Sequence, residues 1–295
     1  MSGSVEVSTR DVVVGVDGSE GGYHAMAWAA GEAARLATRL VVLHAYALPV
    51  GVGAVAAPAG RPDPRAEAEA LLARARARLD RTARTGALAA EPAEVAYATV
   101  RGDASAALVH HARRGAVVVV GRRGVGTFDR VLMGSVSSSV AALAPGTVVV
   151  VPRAARVQDP RRVVAAVDPS EPLDRVLEAG FDEADRAGVA LLAAHAVDRG
   201  MFVGVTEGDL DWLERLRAEA RADLEARASL WGEKYPRVRW TVEGRGGHAP
   251  GALLAVLRSD DLVVTGGRDV REVVRGSVPD RLVRHAPCPV SVVHP

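Results

Sequence analysis

The sequence predicts an α/β protein built from two tandem doubly wound units, in which helices cover both faces of a parallel sheet. Short runs of valine and leucine alternate along the 295 residues with longer segments rich in alanine, arginine, glutamate and leucine. Runs that are apolar at nearly every position are typical of parallel strands buried on both faces. Alternation of such strands with helices favours the doubly wound class.

An internal repeat predicts that this unit occurs twice. DVVVGVDGSE (11–20) corresponds to RVVAAVDPSE (162–171), and His44 and His195 follow in the next apolar runs, each pair 151 residues apart. In the next pair, VVVVG (117–121) and LVVTG (262–266) lie 145 residues apart. Two further pairs lie 142 residues apart: GSV (134–136) with GSV (276–278), and APGTVVVVP (144–152) with APCPVSVVHP (286–295). We therefore expect two domains of ordinary size, 1–152 and 162–295, joined by a linker over 153–161.

Three helices are predicted over 22–37, 63–83 and 211–231. The first carries its apolar residues on one helical stripe. The second opens with Asp63 and Pro64, which are favoured at the N-cap and at the first helical position. The third is its counterpart in the second domain.

Composition excludes several classes of protein. With 37 basic and 36 acidic residues the net charge is +1, which gives no reason to expect a partner such as nucleic acid or a membrane surface. Cys288 is the only cysteine, so no intrachain disulfide is expected, and no residue spacing suggests a metal site. Neither a leader peptide nor a membrane span is recognisable, and we expect a soluble cytoplasmic protein.

The segment GRRGVGTFDRVLMGS (121–135) has the properties of a phosphate-binding loop, since it follows a buried strand and leads into a helix. Glycines let backbone N–H groups approach a ligand, and the unpaired N–H groups that open a helix favour an anion. The glycines are Gly121, Gly124, Gly126 and Gly134; Ser135 and Ser137 could add hydroxyl donors, and Arg122, Arg123 and Arg130 add positive charge. The alternative is a plain β-to-α connection with glycines for turns.

The position of this loop favours ligand binding. In an open α/β sheet, ligands lie beyond the carboxyl ends of the strands where strand order reverses. A reversal between strands 1 and 4 would bring Gly15 and Asp17 opposite the loop. A Walker loop is excluded because Lys234 is the only lysine, and the dinucleotide-binding glycine pattern is missing after strand 1.

These residues resemble the ATP-binding universal stress proteins, whose pattern G-x2-G-x9-G-[ST] is matched by Gly121, Gly124, Gly134 and Ser135. The resemblance extends over both halves, as in tandem actinobacterial members. It implies five-stranded sheets of order 3-2-1-4-5 and ATP between strands 1 and 4, with Mg²⁺ held mainly by the phosphates. The implied ATP-binding residues are Gly15 and Asp17 at the nucleoside, Val42 or a neighbour at adenine, and Gly121, Arg122, Arg123, Gly124, Val125, Gly126, Thr127, Gly134, Ser135, Val136 and Ser137 at the phosphates.

The second copy departs from the pattern. GGRDVREVVRGS (266–277) is three residues shorter and has Asp269 in place of the second glycine, and Ala166 stands where the first copy has Gly15. A second nucleotide site would use Asp168, Gly266, Gly276 and Ser277. A degenerate copy is the favoured interpretation.

The sequence favours an ATP-binding stress-response regulator whose nucleotide biases conformation or the binding of a protein partner. No catalytic residue is identified. The alternatives are a slow ATPase or an adenylyl-transferring enzyme of related fold, or a scaffold without a ligand. The resemblance further implies an internal pseudo-dimer of the two halves and association of two chains into a homodimer.

Overall fold

The computed structural model describes residues 11–47, 63–88, 90–122, 133–157, 159–167, 173–197, 210–246, 249–267 and 277–295. The chain divides into two compact units, Met1–Arg153 and Ala154–Pro295. The division falls at the start of the segment that the sequence assigned to a linker.

The described part of the first unit alternates strands and helices. In chain order these are β1 (Val12–Gly15), α1 (Glu20–Arg35), β2 (Leu40–Tyr46), α2 (Pro64–Arg84), β3 (Val95–Arg101), α3 (Ala104–Arg113), β4 (Val117–Gly121), α4 (Ser135–Leu143) and β5 (Thr147–Val151).

All the strand pairs of this unit are parallel, in the order β3-β2-β1-β4-β5. β1 is central, and its residue Val14 pairs with Val42 of β2 and Val119 of β4. These three side chains are completely buried, as expected for a sheet covered on both faces. The predicted fold class and strand order are confirmed.

Side-chain caps fix where the helices of the first unit begin. The N-cap Ser19 accepts a hydrogen bond from the N–H of Gly22, and α1 therefore begins two residues before the predicted position. The carboxylate of Asp63 accepts from the N–H of Arg65, with Pro64 in the first turn, so the predicted start of α2 is confirmed. Asp103 caps α3 in the same way.

The described part of the second unit repeats this plan. Its elements are β6 (Arg162–Val167), α5 (Leu173–Ala187), β7 (Ala190–Val197), α6 (Leu210–Lys234), β8 (Trp240–Gly246), α7 (Ala249–Leu254), β9 (Asp261–Gly266), α8 (Val278–His285) and β10 (Val290–Val293). The strands are again parallel, in the order β8-β7-β6-β9-β10.

In the second unit, aromatic side chains join helix α5 to the end of α6 and to strand β8. Phe181 of α5 is completely buried, and its ring lies 5.9 Å from that of Tyr235, just beyond α6, and 6.3 Å from that of Trp240 in β8. Aromatic contacts of this kind add to area burial in stabilising a core. None of the described helices of either unit is long and apolar enough to cross a membrane.

Candidate functional site

A cavity of about 230 Å³ opens at the carboxyl ends of β1, β2 and β4 in the first unit. Because β2 and β4 lie on opposite sides of β1, the crossover connections leave in opposite directions and a crevice forms between them. The cavity is lined by Gly15, Val16, Asp17, Gly22, Leu43, His44, Ala45, Ala104, Leu108, Val120, Gly121, Gly134, Ser135, Val136 and Ser137.

At two of these glycines other groups approach the backbone closely. A Cβ at Gly121 would lie 2.8 Å from the carbonyl oxygen of Gly21, a backbone atom at the start of α1. A Cβ at Gly15 would lie 2.9 Å from Cδ1 of Leu108 in α3. The two glycines therefore let α1 and α3 pack against the strand ends that form the cavity.

The N-terminus of α4 forms one wall. Its N-cap, Gly134, is extended (φ −76°, ψ 160°) and has no side chain to accept a hydrogen bond from the first turn. The next residues, Ser135, Val136 and Ser137, line the cavity. The N–H groups of a first turn have no acceptor within the helix and carry partial positive charge, so this wall is suited to an anion.

The two serines of this turn differ in environment. Ser135 is exposed, and its hydroxyl is available to a ligand. Ser137 is 2% exposed, and its Oγ lies 3.1 Å from the carbonyl oxygens of both Arg122 and Gly134, to which it donates. The hydroxyl of Ser137 is therefore hydrogen-bonded within the protein, and whether it also donates to a ligand stays a prediction.

The carboxylate of Asp17 is exposed at the edge of the cavity. Its Oδ1 accepts hydrogen bonds from the N–H of Ser19 at 3.0 Å and from the Oγ of Ser19 at 2.6 Å. Because Ser19 also caps α1, the orientation of this carboxylate is tied to the helix that follows β1.

The opposite wall is mainly apolar and comes from β2 and α3, through Leu43, Ala45, Ala104 and Leu108. His44 lies among them, with Nδ1 2.8 Å from the carbonyl oxygen of Val16. A carbonyl can only accept, so Nδ1 carries the hydrogen.

Val42, implied by the resemblance to lie at adenine, is fully buried in the sheet and does not line the cavity; Leu43, His44 and Ala45 do. Arg122 does not line it either: its N–H donates to the carbonyl of Val151 at 2.9 Å, and its carbonyl accepts from the N–H of Gly134 at 3.0 Å. The residues Arg123, Gly124, Val125, Gly126, Thr127, Asp168 and Gly276 lie outside the described residues.

His111 lies in α3, the helix that contributes Ala104 and Leu108 to the apolar wall. It is half-buried in α3, and burial lowers the pKa of its imidazole, with smaller contributions in the same direction from His110 and Arg114. Its Nδ1 is buried, and among the residues that the structure describes it has no hydrogen-bond partner. The neutral form is therefore favoured at this position.

The second unit presents different groups at the corresponding place. Gly266 ends β9, but α8 is capped by Ser277, whose Oγ accepts from the N–H of Asp280 at 3.4 Å, and Pro279 stands in its first turn. The imidazole of His294 lies against Gly267, where a Cβ would collide with Nδ1. This helix start has fewer donors for an anion than α4.

The wall from α3 was not predicted from the sequence, where His44 was only a landmark of the repeat. The apolar residues of α3 look like any buried stripe, so no local signal distinguishes Leu108 as a cavity residue. The repeated histidine in strand 2 was a signal for His44, because a repeated polar residue at a strand end lies where ligands bind.

Comparison with known proteins agrees with this architecture. Residues 8–152 and 160–294 each match the Universal stress protein family. A universal stress protein of Archaeoglobus fulgidus has the same fold, with a TM-score of 0.63 and 18% identity over 98% of this chain and 99% of that one.

Relatives of higher identity come from mycobacteria. A universal stress protein of Mycolicibacterium smegmatis is 36% identical over 64% of this chain and 65% of its own length. One from Mycobacterium tuberculosis is 36% identical over 50% of this chain, but the match spans only 47% of that relative. A second from Mycobacterium tuberculosis is 30% identical over 95% of this chain and 96% of its own length. With both halves matched and one relative aligned almost end to end, the chain belongs to the universal stress protein family.

Proposed function

We propose that the first unit binds ATP in the cavity between β1 and β4, and that the bound nucleotide biases a conformation or surface that a protein partner recognises during the stress response. The observation that carries the proposal is the composition of the cavity, whose apolar wall faces the uncapped N-terminus of α4. A nucleotide has the matching division into an apolar base and an anionic phosphate chain.

The walls suggest how the nucleotide lies. The base would contact Leu43, Ala45 and Leu108, since apolar surfaces favour an aromatic ring. The phosphates would accept hydrogen bonds from the N–H groups at the start of α4 and from the hydroxyl of Ser135. We expect the phosphates to hold most of the Mg²⁺ coordination.

Asp17 fits the sugar of this arrangement better than the phosphates. A carboxylate repels phosphate oxygens but accepts hydrogen bonds from ribose hydroxyls. Its fixed orientation, set by two hydrogen bonds from Ser19, suits the recognition of a ring of defined geometry.

We propose one nucleotide per chain. In the second unit the cap Ser277 occupies one donor of the first turn of α8, and Pro279 has no N–H. Ala166 adds a Cβ at the position of Gly15.

The test is to release nucleotide from the purified protein by heat, identify it by chromatography, and measure added ATP by calorimetry. We expect about one adenine nucleotide per chain and, for Asp17→Ala, about tenfold weaker binding. Asp63→Ala is the matched control, because it removes a capping carboxylate outside the cavity. Absence of both bound nucleotide and ATP affinity would refute the proposal, and steady multiple turnover lost in Asp17→Ala would reassign the protein as an ATPase.

A further inference from the structure

We infer that Ser137 is a positioning residue of the nucleotide site, which fixes the N-terminus of α4 against the end of β4 and does not bind phosphate through its hydroxyl. The inference rests on the proposed ATP site for its functional meaning. Its structural part concerns only hydrogen bonds within the described residues.

The geometry around the hydroxyl supports this role. The Oγ of Ser137 is 3.1 Å from the carbonyl oxygens of Arg122 and Gly134, and the side chain is 2% exposed. A hydroxyl has one proton, and here that proton is directed at two carbonyl groups of the protein. A phosphate oxygen would need the same proton, so donation to a ligand would break the internal hydrogen bond.

The carbonyl of Arg122 links this hydrogen bond to the sheet. Arg122 directly follows β4, and its N–H donates to Val151 of β5 at 2.9 Å. Its carbonyl accepts from Ser137 and, at 3.0 Å, from the N–H of Gly134. The start of α4 is therefore held to a backbone position that the sheet itself fixes.

This attachment matters for an anion in two ways. It fixes the direction of the N–H groups of Ser135 and Val136, and fixed donors bind without an ordering cost. It also supplies hydrogen bonds to the carbonyl oxygen of Arg122, so this acceptor is paired within the protein and does not compete for the donors of the helix start.

The second unit lacks this device. Pairing of the two GSV segments places Pro279 at the position of Ser137, and proline has neither a hydroxyl nor an N–H. The helix start in that unit is instead fixed by the side chain of its own cap, Ser277.

The experiment compares Ser137→Ala with Ser135→Ala, and uses Ser139→Ala as the matched control. Ser139 is a half-buried residue of the same helix that does not line the cavity, and within the described residues its side chain makes no hydrogen bond. Two quantities are measured for each: amide hydrogen exchange at Gly134 in the ligand-free protein, and the dissociation constants of ATP and adenosine.

For Ser137→Ala we expect exchange at Gly134 to become about fivefold faster without ligand, ATP to bind about fivefold more weakly, and adenosine to bind as in the wild type. Ser137→Thr, which keeps the hydroxyl, should restore both quantities. Ser135→Ala should weaken ATP binding without changing ligand-free exchange, and Ser139→Ala should change neither.

Unchanged ligand-free exchange in Ser137→Ala would overturn the inference; combined with weaker ATP binding, it would make Ser137 a direct phosphate ligand. Equal losses for ATP and adenosine would also overturn it, because they indicate general destabilisation of the unit. If the wild type binds no ATP, the proposed function fails, while the exchange data still test the attachment of α4.

Discussion

The two units carry the same tripeptide, Gly-Ser-Val, after their fourth strands, yet they use it differently. In the first unit the helix begins at Ser135, with Gly134 as a cap that has no side chain. In the second it begins one residue later, at Val278, and Ser277 becomes the cap. The shift changes the role of the serine: Ser135 is exposed in the first turn of α4, whereas Ser277 accepts a hydrogen bond from an N–H group of its own helix. Sequence identity in a motif therefore does not ensure an equivalent site.

Charge adds to the difference between the two helix starts. The first turn of α4 has no acidic residue, whereas that of α8 contains Asp280, which pairs with Arg284 at 2.7 Å. A carboxylate at a helix N-terminus interacts favourably with the helix dipole and competes with an external anion. The second unit is thus stabilised by groups that oppose phosphate binding.

The largest expected effect comes from replacing Gly15, at the end of the central strand β1, with alanine, which the second unit has at the corresponding position, Ala166. In Gly15→Ala the new Cβ would lie 2.9 Å from Cδ1 of Leu108, a buried side chain that lines the cavity and would have to shift. We expect ATP affinity to fall at least about tenfold and the free energy of unfolding to fall by about 1–3 kcal/mol. Calorimetry and urea denaturation measure the two changes. The reverse change, Ala166→Gly, should leave ATP binding intact, and wild-type affinity in Gly15→Ala would contradict the role given to this glycine.

A smaller effect separates the two equivalent serines. Ser135→Ala should weaken ATP binding by about fivefold with little change in the melting temperature, because its hydroxyl is exposed. Ser277→Ala should leave ATP binding unchanged but lower the free energy of unfolding by about 0.5–1 kcal/mol, because a helix cap is lost. The same response in both variants would show that the two helix starts are equivalent after all.

The smallest effect concerns pH. Burial lowers the pKa of His111, so the unfolded chain binds a proton more readily than the folded one as the pH falls below the ordinary histidine pKa of about 6.5. Stability should therefore decrease in that range, by a few degrees of melting temperature at most. The second unit has Val256 at the corresponding position, and His111→Val should reduce this pH dependence in melting experiments. An unchanged pH profile in the variant would assign it to other groups.

Much of the fold was predictable because its signals are local. Buried parallel strands appear as continuous valine runs, and the Asp63–Pro64 pair marks a helix start that the structure confirms. The repeat then extended each assignment to the second half. The strand order came from the resemblance rather than from these patterns.

The candidate site was less predictable because its walls come from distant segments. Val42 and Leu43 are adjacent in the chain, and which of them lines the cavity depends on the register of β2 against β1. The direction of the Ser137 hydroxyl depends on where β4 ends relative to α4, which no sequence pattern specifies. Leu108 contacts the sheet and the cavity at once, a property of tertiary packing alone.

That double contact of Leu108 has a further consequence. Because Leu108 lies in both the core and the lining of the cavity, a ligand bound there would stabilise the folded unit. Given the proposed ATP site, a nucleotide concentration about a hundred times the dissociation constant would add about 2.7 kcal/mol to the stability of the folded unit. The lifetime of the protein against proteolysis would then follow the energy supply of the cell, and a fall in ATP would shorten it without any dedicated sensor.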